Sequence, residues 1–341
     1  MSMRLSPVAQ RRWQRFRANR RGWWSLWLFV GLFAVTLAGN LLANDKPLML
    51  GMNGHLYFPA FARYTEQQLG GELPFVPDYR SDYVQRLVRK QGGWMLFAPI
   101  RFSYDTVNYN LTVPAPSAPS RENLLGTDDQ GRDVLARVIF GMRVSIAFGL
   151  LLALASTVIG VIAGAIQGYF GGWVDLIGQR IQDIWSGLPM LYILIILTGF
   201  ITPNFWWLLG VMALFSWLAL VDAVRAEFLR GRSLDYVKAA RALGLSDLRI
   251  MRRHVFPNAL TATVTFAPFM VTGGIAMLSA LDFLGFGMPV GSPSLGELTA
   301  QSIQNLYAPW LAISAFVSLA LILSLLVFIG EGLRDAFDPR A

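Results

Sequence analysis

From Val144 to Phe170 the chain carries no charged side chain. A helix needs only about 20 apolar residues to cross the hydrocarbon core of a bilayer. Further apolar runs occupy residues 23–43, 188–201, 205–224, 259–284 and 310–329. Backbone groups inside a bilayer have no water to bond, so a spanning segment must satisfy them itself, as a helix does. The composition agrees, with 54% of the 341 residues hydrophobic and 15% charged, where a soluble domain carries about 25% charged residues. The sequence therefore predicts an all-α integral membrane protein with six transmembrane helices.

Charge asymmetry orients those helices. Residues 1–22 contain Arg4, Arg11, Arg12, Arg15, Arg17, Arg20 and Arg21 and no acid. Basic flanks stay on the cytoplasmic side, so 1–22 reads as a cytoplasmic basic tail and 23–43 as the first transmembrane helix. A secretory signal would have a shorter apolar region and a small-residue cleavage site. The net charge of +8 is thus expected to face the membrane edge, and no nucleic-acid partner is predicted. Six spans return the C-terminus to the cytoplasm.

Residues 44–137 form a long extracytoplasmic loop between the first and second helices. Prolines 47, 59, 74, 77 and 99 cut it into short pieces, and Trp94, Phe97, Phe102, Tyr104 and Tyr109 are candidates for a small core. Val113–Pro119 reads as an extended proline-rich linker. In Leu125–Val134, Gly126 and Gly131 suit tight turns, and Thr127 or Asp128 is expected to cap the helix that follows. Asp128, Asp129 and Asp133 lack the spacing of a calcium loop. Residues 138–341 would hold the other five helices.

Within that region Gly160, Gly164 and Gly168 repeat every four residues and expose a strip of backbone for a neighbouring helix. Pro268 and Gly273-Gly274 are expected to interrupt the fifth span, and residues 285–307 read as a Gly- and Pro-rich outside loop. Between the fourth and fifth spans lies a basic cytoplasmic segment, residues 225–258. In it Asp235 is placed to cap a helix. Ala239, Ala240 and Ala242 leave a small-residue surface, and Gly244 suits a left-handed helix end. Ser246 is placed to cap a second short helix, which Pro257 is expected to stop.

The absences narrow the chemistry. There is no cysteine, and His55 and His254 stand alone, so no metal site is expected. No Gly-x-x-x-x-Gly-Lys-Ser/Thr, His-Glu-x-x-His or Gly-x-Ser-x-Gly pattern occurs, so nucleotide-loop, zinc-protease and serine-hydrolase signals are missing. The acids nearest the spans, Asp222, Asp282 and Glu331, sit close to helix ends. A proton- or ion-coupled carrier or channel, the alternative reading, usually keeps such groups at mid-membrane. A shaped cytoplasmic loop without an engine points to a partner that supplies energy.

Tyr236-Val-Lys-Ala-Ala-Arg-Ala-Leu-Gly244, followed after nine residues by His254-Val-Phe-Pro257-Asn258, resembles the "EAA" loop of bacterial binding-protein-dependent ABC importer permeases. Lys238 stands where that motif has Glu. The Arg253–Asn258 version, together with Leu125–Val134 and Leu281–Gly287, resembles the C-type subunit of the dipeptide/oligopeptide branch. The start of the chain, Ala43–Pro47 and Gly291–Glu297 are similar to the oligopeptide importer permease that also takes up microcin C.

The resemblance implies a type I ABC importer permease fold in the bacterial inner membrane. It implies a heterodimer with a second homologous permease, two cytoplasmic ABC ATPase domains and a periplasmic peptide-binding protein. ATP and Mg would sit on the ATPases, with no cofactor on this chain and no enzyme activity of its own. The coupling contact would fall on Asp235, Tyr236, Lys238, Ala239, Ala240, Arg241, Ala242, Leu243, Gly244 and Pro257. Substrate-binding residues are not identified.

Overall fold

The computed structural model describes residues 7–337. Arg4 of the basic start and residues 338–341 of the C-terminal region lie outside them. The helices are α1 (Pro7–Ala18), α2 (Arg20–Leu37), α3 (Gly39–Leu42), α4 (Asp82–Lys90), α5 (Val134–Phe170), α6 (Gly172–Ser186) and α7 (Met190–Thr198). They continue with α8 (Phe205–Ser216), α9 (Leu218–Arg232), α10 (Asp235–Ala242), α11 (Asp247–Ile250), α12 (Phe256–Phe283), α13 (Leu295–Gln304) and α14 (Pro309–Phe337). Three strands, β1 (Met49–Met52), β2 (His55–Tyr57) and β3 (Trp94–Leu96), lie between α3 and α5.

Three helical stretches are long and apolar enough to cross a membrane: Val134–Phe170, Asp247–Phe283 and Pro309–Phe337. Two bent pairs, α6 with α7 at 62° and α8 with α9 at 41°, raise the number to as many as five among the described residues. The α6–α7 bend falls at Gly187-Leu188-Pro189, where proline removes a backbone donor. Helix α2 is not among these spans. Arg20 and Arg21 fill its first turn, and it ends at Leu37, before the apolar run does.

The chain divides into two compact units. The first comprises residues 1–30, 145–289 and 320–341. Here α12 runs unbroken through Pro268 and both glycines of Gly273-Gly274, against the expected interruption. In a 28-residue helix packed on its neighbours the lost bond at Pro268 is one among many. Asp282 accepts the Met288 N–H at 2.7 Å and so shapes the turn after α12. At the other end of the unit Gly22 and Gly332 bring α2 and α14 together. A Cβ on Gly22 would stand 3.1 Å from the Gly332 Cα.

The second unit comprises residues 31–144 and 290–319, and it corrects the all-α expectation. Strands β2-β1-β3 form an antiparallel sheet. The β1–β2 turn is Asn53-Gly54, both at positive φ (50° and 75°). That is the geometry a two-residue hairpin needs to match strand twist. Ser81 caps α4 by accepting the Val84 N–H. Val84 and Val88, one turn apart, then bury against Leu50, Met52, Leu69 and Tyr79. The expected aromatic set is met only in part: Phe102 is buried and Tyr104 packs against Phe140, but Trp94 and Tyr109 are exposed and Phe97 only borders the sheet core.

Two further expectations are corrected here. The cap of α5 is Asp133, whose carboxylate accepts the Ala136 N–H at 2.7 Å, rather than Thr127 or Asp128. The segment 285–307, expected to be an irregular outside loop, contains α13, started by Ser294, which accepts the Glu297 N–H at 3.1 Å. Asp128 has a different role. Arg132 Nε donates to it at 2.6 Å, and Arg137 Nε lies 3.4 Å from the same oxygen. The two guanidinium groups then reach the two oxygens of Glu297 at 3.1 and 2.9 Å. Asp128, Arg132 and Arg137 are almost wholly buried. Arg137 also donates to the Tyr104 and Ser292 carbonyls, while its buried Nε has Asp128 at ion-pair distance but no hydrogen bond.

A candidate coupling surface at residues 233–258

Helix α9 stops at Arg232, and the chain turns at Ser233 and Leu234. The N-cap of α10 is Leu234, in extended geometry and without a side-chain bond. Asp235 lies inside the first turn, where its charge favours the helix dipole but makes no cap. Val237 and Ala240, three residues apart, share one face and are buried. They join Ala165, Tyr169, Leu220, Val224, Phe228, Ile250, Val255 and Ala259 in one apolar cluster. Full burial of a Val or Leu side chain contributes about 1.5–3 kcal/mol.

The other face is open. Asp235, Tyr236, Lys238, Ala239, Arg241, Ala242 and Leu243 are all exposed. Of the three alanines, Ala239 and Ala242 reach solvent and Ala240 belongs to the core. Leu243 is 81% exposed at the helix end, an apolar residue with nothing of its own chain to cover it. Lys238 pairs with Asp235 at 3.4 Å, with both side chains largely in solvent. Such a pair contributes little to stability.

Gly244 has φ of 78°. Its N–H bonds the Arg241 carbonyl at 3.0 Å, and the Leu245 N–H bonds the Ala240 carbonyl at 3.2 Å. These two bonds make a Schellman ending, which needs the left-handed residue that glycine supplies. Ser246 occupies the N-cap position of α11 but makes no side-chain bond there.

Side chains fix the angle between α10 and its neighbours. Tyr169 donates to Asp247 Oδ1 at 2.6 Å, and Arg241 donates to the Tyr169 oxygen at 3.0 Å. The bond to that oxygen, ahead of its electrostatic pull, holds the Arg241 guanidinium above its ordinary pKa. Tyr236 donates to the His254 carbonyl at 3.3 Å and accepts from Asn258 at 3.0 Å. The tyrosine and the His-x-x-Pro-Asn segment therefore form one latch. Pro257 does not stop the helix as expected. Met251–Val255 form a π turn that leads directly into α12. The wider turn shifts the carbonyl that the proline ring would strike in a regular α-helix.

The three glycines of α5 set the support beneath this surface. A Cβ on Gly160 would lie 2.8 Å from the Trp217 carbonyl oxygen, and one on Gly164 2.7 Å from that of Val221. At Gly168 the Arg225 carbonyl is nearer still. Helix α9 thus lies with its backbone against α5. Helix α6 is tied to α9 by Asp175, which accepts two bonds from Arg225 at 2.5 and 2.7 Å. A largely apolar cavity of about 410 Å³ lies elsewhere in this unit. Met190, Met212, Met270 and Met277 line it with Ser156 and Ser216. Among the described residues no group of three or more His, Asp or Glu is placed to hold a metal.

Residues 138–341 match the family model described as "Binding-protein-dependent transport system inner membrane component". The chain belongs to this family of transport permeases. Residues 6–60 of the permease also match the "N-terminal TM domain of oligopeptide transport permease C". The permease is 55% identical over 337 residues to the inner membrane ABC transporter permease protein YejE of Escherichia coli, covering 99% of this chain and 98% of that one. It is 51% identical to the peptidoglycan transport system permease protein YejE of Agrobacterium fabrum, covering 98% and 94%. It is 36% identical to the oligopeptide transport system permease protein OppC of Lactococcus lactis over 222 residues, 64% of this chain and 76% of that one. Neither family match favours the ion- or proton-coupled alternative.

Several residues of this permease region escape sequence reasoning. Tyr169 and Asp247 are 78 positions apart, and Asp175 and Arg225 are 50 apart. No local pattern announces either pair. The Tyr236–Asn258 contact is legible, because both ends lie in the quoted motif.

Proposed function

We propose that this chain is the C-type permease subunit of an ATP-driven importer of peptides in the bacterial inner membrane. The observation that supports it most is the likeness over nearly the whole chain to permeases whose names include ABC transport and peptidoglycan transport. In this reading residues 23–43 form the first of six spans and both termini are cytoplasmic, as the arginines of the basic tail favour. Residues 44–137 then lie outside, and 138–341 form the importer domain. A second permease completes a heterodimer, and a periplasmic binding protein delivers the peptide. Microcin C, a peptide-like antibiotic, is a candidate cargo.

ATP hydrolysis takes place on two partner subunits, and the exposed side of α10 with Leu243 and Gly244 couples to one of them. The geometry that supports this is a rigid underside and an open upper face on the same short helix. Beside it a groove lined by Arg232, Lys238 and Arg241 offers positive charge to that partner. The test is uptake of a labelled tripeptide in cells carrying the importer, with co-purification of the ATPases. Wild-type cells should accumulate peptide, and an L243D variant should insert normally, lose the ATPases on purification and stop uptake. Retention of both by L243D removes the coupling assignment.

A further inference from the structure

The second unit contains a polar cavity of about 370 Å³ whose walls include Arg80, Arg101 and Arg121 with Phe97, Phe102 and a single acid, Glu122. The Arg80 guanidinium lies over the Phe102 ring at 4.1 Å, and that of Arg101 over Phe97 at 5.3 Å. None of the three arginines has a carboxylate within ion-pair distance among the described residues. This contrasts with Arg132 and Arg137 of the same unit, which are paired with Asp128 and Glu297. Two of the three cations are thus held in place by aromatic rings, which leave the edges of the guanidinium fork free to bond.

We propose that this cavity is a binding site for the carboxylates of a small acidic peptide, on the extracytoplasmic insert of the permease. The proposal rests on the peptide-importer reading above. A guanidinium fork matches a carboxylate in two parallel bonds. Three such groups against one acid leave the cavity positive. The partly exposed Phe97 gives the apolar part of a peptide a wall, and the volume lies within the range of small-molecule sites. An anionic peptide is therefore gathered at the insert before it enters the membrane domain, and a cationic one is repelled. The attraction weakens as salt screens it.

The test uses the full chain in phosphatidylcholine nanodiscs and measures binding of Glu-Glu, Ala-Ala, Lys-Lys and inorganic phosphate by calorimetry. Glu-Glu should bind at least about tenfold more tightly than Ala-Ala, and Lys-Lys should not bind. R101Q and R121Q should each weaken Glu-Glu by about tenfold, the size of one charge-assisted bond, and R121K should recover part of the loss. Both residues are exposed, so these variants should elute as the wild type does even if R80Q fails to fold. Equal binding of the three peptides, full competition by phosphate at equal concentration, or unchanged affinity in R101Q and R121Q overturns the proposal. Weakened association with a binding protein at unchanged Glu-Glu affinity overturns it in favour of a protein dock. Uptake by the complete wild-type importer is scored separately. Its failure counts against the permease reading, whereas altered binding concerns this cavity alone.

Discussion

The Tyr169 hydroxyl, near the end of α5, donates to the Asp247 carboxylate at 2.6 Å and accepts from Arg241. One phenol therefore joins α5 to both short helices of the candidate coupling surface. Tyr169→Phe removes both bonds and keeps the ring in the apolar cluster. Asp247 and Arg241 are about half exposed, so water replaces much of the loss, and the stability cost should be about 1 kcal/mol or less. Transport should fall further than stability does. The ratio of peptide imported to ATP hydrolysed in proteoliposomes measures this, and an unchanged ratio would deny Tyr169 a coupling role.

Gly244 separates backbone from surface effects. No atom lies within 4 Å of an added Cβ there, so a side chain meets only the cost of the left-handed conformation, roughly 1–2 kcal/mol for an ordinary residue. Asn tolerates that region better than Val. Gly244→Asn should keep most uptake and Gly244→Val should lose it. Gly244→Asp should lose it as well, because it brings a charge to the proposed docking face. Membrane insertion, read by protease protection, should be normal in all three. Equal uptake by all three variants would mean that the turn is not a contact.

At the α5–α9 crossing the expected effect is steric. Gly164→Leu forces a side chain onto the Val221 carbonyl and should destabilise the protein by about 1–3 kcal/mol. Gly210 has open space around it, and Gly210→Ala should be neutral or better. Paired thermal melts in detergent compare them, and equal melting temperatures would contradict the close crossing.

Glu297 neutralises two buried arginines at once. Glu297→Gln leaves Arg132 and Arg137 to share Asp128, and breaking a buried ionic group in this way costs about 3–5 kcal/mol. Since Glu297 is one-fifth exposed, the lower figure is expected. Denaturant titration of the variant against wild type reads the change, and a loss below 1 kcal/mol would show that water already satisfies the arginines.

Asp133 predicts a pH dependence. Burial raises its pKa above the ordinary value, against the lowering effect of the Ala136 and Asn123 bonds. A carboxyl raised in the folded state binds its proton more tightly there than in the unfolded chain. Its stabilising contribution is full below the unfolded value of about 3.9 and fades as pH rises through the raised folded value. Asp133→Asn, which can still cap α5, should flatten that part of the curve. Melting temperatures from pH 4 to pH 7 test it, and identical slopes for the two proteins would rule it out.

What the sequence made legible was whatever depends on near neighbours. The glycines at 160, 164 and 168 specify a close crossing by their spacing, though not that α9 fills it. The left-handed Gly244 follows from its place after a helix-forming run. Two local signals were present but hidden by composition. Asn53-Gly54 is a hairpin signature inside a loop broken by prolines. Ser294-Leu-Gly-Glu297 is a capping-box pattern inside a Gly- and Pro-rich loop. The Asp128–Arg132–Arg137–Glu297 network was not legible, because its halves are some 160 positions apart and nothing in either half specifies the other.

The π turn at Met251–Val255 keeps α11 and α12 on one helical path from Asp247 to Phe283, 37 residues in all. At 1.5 Å per residue such a rod is ~55 Å long. A tilt of ~5° imposed on its α11 end would displace the other by ~5 Å, on the same rise per residue. In the proposed coupling role, α11 would be the short handle of a shaft that turns small motions at one end into angström-scale motions at the other.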